Sequence, residues 1–119
     1  PDQEKLQAEV TEILEKECAA AKAADVQTWN RYSDEFHLVF YRYCNNSRLA
    51  ESAERLRSGI SIFSNQYCRE TVIQTRIDEE HLAIFQAYKD GDIEKAVQMM
   101  KTHLNDSLNY ALRFLPKTF

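Results

Sequence analysis

His37, His81 and His103 are the residues of this chain best suited to act together chemically. Each lies on the apolar stripe of a different helical segment. His37 sits between Phe36 and Phe40, His81 between Ile77 and Ile84, and His103 beside Met100 and Leu104. An imidazole buried without partners for its nitrogens is destabilising. For any one of them the simplest account is a core histidine bonded to a neighbouring helix. Three on inward stripes, with none on a polar face, also fit a shared metal site. Convergent imidazoles offer the borderline-soft nitrogen donors that Zn, Ni, Fe or Cu take. Both readings stand on the residues alone.

Two of the histidines follow an aspartate by three positions, Asp34-x-x-His37 and Asp78-x-x-His81. Residues i and i+3 are neighbours on a helix, so each carboxylate is placed to be a metal ligand or to orient its histidine. A di-iron site would also need glutamates facing the core from the other helices. Here Glu9, Glu12 and Glu15 fall on a polar face, which argues against that chemistry.

The elements that must position these residues follow from an apolar period near 3.6. A first helix spans about 3–24, with Leu6, Val10, Ile13, Leu14, Cys18 and Ala21 on one face. Asp25 then caps a second, from Val26 to about Cys44, whose inward set is Val26, Trp29, Ser33, Phe36, His37, Phe40 and Cys44. Asn45 and Asn46 end it. Ser47 caps a third helix carrying Leu49, Ala53, Leu56, Ile60 and Phe63. A fourth covers about 69–89 and is stopped by Gly91, after which Asp92 caps a last helix reaching about Leu115. The fold class expected is all-α, an antiparallel helical bundle of five to six helices joined by short loops.

Composition narrows the rest. A chain of 119 residues with 44% hydrophobic and 29% charged side chains is an ordinary single globular domain. Its net charge is -4, and the basic residues are interspersed with acidic ones, so it lacks the cationic cluster that duplex binding requires. Cys18, Cys44 and Cys68 are odd in number and widely spaced, as expected of free thiols in a reducing cytoplasm. No apolar run is long enough to span a membrane.

Three short motifs together resemble a known family. Phe36-His37 with Asn46 nine positions later, then Glu80-His81-Leu82-Ala83-Ile84 with Ala87, Gly91-Asp92 and Ala96, then Met100-Lys101-Thr102-His103-Leu104 are similar to the FadR-type C-terminal (FCD) domain of GntR-superfamily transcriptional regulators. The match runs from about Asp25 to Leu112. The resemblance implies that residues 1–119 form one effector-binding and dimerisation domain of a cytoplasmic homodimer, not an enzyme. It also implies DNA contact only through an N-terminal winged helix-turn-helix outside this chain. A small carboxylate effector is implied at or near a divalent transition metal, Zn or Ni, held by His37, His81 and His103. Ser33, Asp34 and Ser107 are the expected effector-lining residues.

One position departs from the family. Its aspartate ligand lies four residues before the first histidine, where this chain has Ser33. Asp34 is rotated by about 100° around the helix from that position. Loss of that charge predicts weaker metal binding, and a metal-free pocket in which the histidines hold an anion is the alternative. Two further readings are a metal-dependent helical-bundle enzyme and a metal that merely staples three helices.

Overall fold

The computed structural model describes residues 2–43, 51, 55 and 69–113. Within them the chain is all-α, with α1 (Asp2–Lys22), α2 (Val26–Arg42), α3 (Thr71–Lys89) and α4 (Ile93–Leu112). These correspond to the first, second, fourth and last helices expected from the periodicity. Of the third expected helix, beginning at Ser47, only Glu51 and Arg55 are among the described residues, both helical; the rest lies outside them. So do Cys44, Asn46, Cys68, Leu115 and Pro116, and the expected count of five to six is matched for four.

Local chemistry sets the boundaries. The turn between α1 and α2 closes with Asp25 N–H donating to the Ala20 carbonyl at 2.9 Å, the bond pattern of a left-handed helix cap. Ala24 occupies the left-handed position, with φ 56. The Asp25 carboxylate then accepts from Thr28 N–H at 3.2 Å and starts α2. The second turn repeats the device with the residue better suited to it. Gly91 has φ 81, Asp92 N–H donates to Ala87 carbonyl at 3.1 Å, and the Asp92 side chain accepts from Lys95 N–H at 3.1 Å. Each turn reverses the chain, producing two antiparallel helix pairs.

α1 packs against α2 and α3, and α3 packs in turn against α4. The main core joins Leu6, Val10, Ile13 and Leu14 of α1 to Phe36 and Val39 of α2 and to Ile84 and Phe85 of α3. A second cluster at the other end of the bundle holds Ala20, Ala21, Trp29 and Ile77. Val10, Phe36 and Val39 are fully buried, a gain of roughly 1.5–3 kcal/mol for each such side chain. Between the clusters lie buried polar residues: Glu17, Ser33, His37, Asp78, His81 and His103. Among the described residues, no helix is long and apolar enough to cross a membrane.

Candidate functional site

The three histidines converge from α2, α3 and α4 into the middle of the bundle. His37, His81 and His103 are 8%, 0% and 4% exposed. The Nε2 atoms of His81 and His103 are 3.1 Å apart, and those of His103 and His37 are 3.4 Å apart. One ligand atom from each lies within 4.8 Å of the other two, a group able to hold a metal ion. The rings of His37 and His103 stack at 5.2 Å, and Phe36 stacks on His81 at 4.1 Å. Phe36 thus fills the core and also fixes the plane of one imidazole.

The opposite edges of two rings meet carboxylates. His81 Nδ1 lies 2.9 Å and 3.2 Å from the two oxygens of Glu17. His103 Nδ1 lies 2.8 Å from Glu80 Oε1. With each Nδ1–H donating to its carboxylate, both Nε2 atoms direct lone pairs toward the same point. Two such lone pairs at 3.1 Å repel unless a cation lies between them. A tetrahedral zinc with Zn–N bonds of about 2.0–2.1 Å places its ligand nitrogens about 3.3–3.4 Å apart. Two of the three separations, 3.1 Å and 3.4 Å, are close to that value, and all three ligand atoms lie within 4.8 Å of one another. The donor set therefore suits a divalent transition metal.

Behind His81 lies a buried carboxyl pair. Glu17 is fully buried and Asp78 is 5% exposed. Burial pushes the Glu17 carboxyl up to about 7, opposed by hydrogen bonds from Asp78 and Ser33. Asp78 is pushed up to about 8, first by burial and then by its hydrogen bond to Glu17 and that group's charge; hydrogen bonds from Trp29 and Cys18 act the other way. Glu17 also accepts from His81 and Ser33, so Asp78 is the partner that keeps the proton and donates it to Glu17. Trp29 Nε1–H donates to Asp78 Oδ1 at 2.8 Å and holds the acid in place. Burial, followed by the charges of Asp78 and Glu17, raises the pKa of the Cys18 thiol; it is free and half-buried.

The residues expected from sequence divide accordingly. His37, His81 and His103 come together. Ser33 is buried on the same side but donates to Glu17. Asp34 is half-buried and lies outside the histidine group, and Ser107 sits half-buried one turn beyond His103. Asp78 is bonded to Glu17, which in turn meets His81. Glu17 and Glu80 were not singled out as site residues. The sequence did carry a signal for Glu17, which falls on the α1 stripe four residues after Ile13 and three after Leu14. A groove of about 430 Å³ between α1 and α3 opens on Cys18, Asp78 and Leu82 and includes none of the histidines.

The described residues thus form a helical bundle around a buried histidine cluster, two of whose rings are backed by carboxylates. The family model of the FCD domain matches residues 2–106. The chain therefore belongs to the FCD domain family, the FadR-type C-terminal domain of GntR-superfamily regulators. No curated protein and no solved structure matches it significantly.

Proposed function

We propose that this chain is the effector-sensing and dimerisation domain of a GntR-type transcriptional regulator. In this reading His37, His81 and His103 hold a divalent metal, zinc or nickel, and a small carboxylate effector binds beside it. The observation that carries the reading is the convergence of three Nε2 atoms at 3.1 Å and 3.4 Å in a buried site. A bound metal supplies open coordination positions that attract a carboxylate oxygen. Glu17 and Glu80 orient two of the rings, while the surrounding core excludes water from them. Ser107 and Asp34 are the polar residues we assign to the effector side, the Ser33 hydroxyl being engaged by Glu17.

Sensing is favoured over turnover by the placement of the carboxylates. Among the described residues, Glu17 and Glu80 face the Nδ1 edges of the histidines, and Asp78 is tied to Trp29 and Glu17. None of these three is set beside Nε2 as a general base. Regulation then requires that the effector bind one arrangement of two such domains better than another. DNA contact belongs to a winged helix-turn-helix outside this chain.

Thermal-shift titrations with small mono- and dicarboxylates, with and without zinc, test the proposal. The expected result is a carboxylate-dependent rise in melting temperature that needs zinc and vanishes in the His81→Ala, His103→Ala double variant. Stabilisation that is unaffected by zinc removal would instead support the metal-free anion pocket. Hydrolytic turnover of a carboxylate ester by the zinc-loaded chain would support the enzyme.

A further inference from the structure

Glu17 is the most unusual residue of the core. It is fully buried on the apolar face of α1, where a leucine would complete the stripe of Leu6, Val10, Ile13 and Leu14. A buried carboxylate is costly unless donors surround it. Here the donors come from two other helices: the Ser33 hydroxyl from α2, and the Asp78 carboxyl and His81 Nδ1–H from α3. Trp29 fixes Asp78 from behind, and Phe36 stacks on the His81 ring. His81 is therefore held in one ring orientation, with Nδ1 on Glu17 and Nε2 facing His103 at 3.1 Å.

We propose that Glu17 is the positioning residue of the histidine site, acting through His81. It selects the tautomer protonated at Nδ1, which leaves the Nε2 lone pair directed toward His103. In its ionised form it also makes that nitrogen a stronger donor to a cation. Ser33, at the position where the family carries a ligand, serves here to hold Glu17. This proposal rests on the metal reading above and adds to it a residue from α1, the one described helix that contributes no histidine.

A purely structural role, satisfying a core histidine, needs only a neutral acceptor of the same length. Glu17→Gln separates the two roles, because its carbonyl accepts the same bond without the charge. Zinc affinity is measured for the full chain and for Glu17→Gln by competition with a chromophoric chelator. Urea unfolding of both metal-free forms runs in parallel. The expected result is a folded variant that binds zinc about 10–100-fold more weakly. Equal affinity overturns the role of Glu17 and leaves the three-histidine site intact. Absence of zinc binding by the unsubstituted chain overturns the metal reading and this proposal together.

A second readout needs no variant. Long-range proton–nitrogen correlation spectra of the histidine rings in the zinc-loaded chain are expected to show the His81 proton on Nδ1. A proton on Nε2 of His81 in that state would also overturn the proposal.

Discussion

Replacing Asp78 by Asn should lessen the loss of stability that the metal-free chain suffers as pH rises. Asp78 keeps its proton when folded, its carboxyl raised from 3.8 to about 8, chiefly by burial. Asparagine imitates the protonated acid: its carbonyl accepts from Trp29 Nε1–H and its amide donates to Glu17. Below about pH 4 the carboxyl is protonated in the folded and unfolded chains alike, and its pH dependence is nil. Above that the unfolded chain releases this proton while the folded chain retains it up to about pH 8. In this window the folded state binds more protons, so stability falls as pH rises, by about 1.4 kcal/mol per pH unit for one proton. Between pH 5 and pH 7 the unsubstituted chain should therefore lose roughly 3 kcal/mol relative to Asp78→Asn. That is a large part of the stability of a domain this size. Urea unfolding at several pH values, in the presence of a chelator, measures the difference; Glu17, raised to about 7, is present in both proteins. The gap in favour of Asp78→Asn should widen with pH and level off above about 8. Parallel curves, or a gap that narrows with pH, would refute the protonated pair.

Other expectations concern the backbone, the tryptophan and the second carboxylate. Ala24 sits in the left-handed region at φ 56, so Ala24→Gly should stabilise the chain by about 0.5–1 kcal/mol in chemical denaturation. Gly91→Ala should destabilise it by about 1 kcal/mol through backbone strain alone, since nothing lies within 4 Å of the added methyl. Trp29→Phe removes the donor to Asp78 and should lower unfolding free energy by about 1–3 kcal/mol, beyond the effect of lost volume. Glu80→Gln at the His103 edge should weaken zinc binding less than Glu17→Gln does, because Glu80 is 32% exposed and Glu17 is fully buried. Equal losses in a zinc competition assay would show that burial does not rank the two.

The helices and the histidines were legible because their signals are local. Asp25, Gly91 and Asp92 mark boundaries through bonds spanning a few residues, and a period near 3.6 places all three histidines inward. The polar partners were less legible because they pair across the fold. Trp29 meets Asp78 and His81 meets Glu17 over separations of 49 and 64 positions. Nothing in the neighbourhood of either residue specifies such a pair. Glu17 was passed over as one more acidic side chain on a helix rich in them, although its stripe position set it apart from Glu12 and Glu15. Ser33 was correctly placed inward, but its bond to Glu17 depended on that unrecognised neighbour. Ala24 concealed a left-handed cap that a glycine would have announced, as Gly91 did.

Metal content of the chain, purified without a polyhistidine tag, tests the central claim most directly. Elemental analysis should find roughly one zinc or nickel ion per chain, and none in the His81→Ala, His103→Ala variant. No metal in the unsubstituted chain, even after incubation with zinc or nickel and dialysis, would contradict the claim and leave the histidines as partners of an anion or of one another.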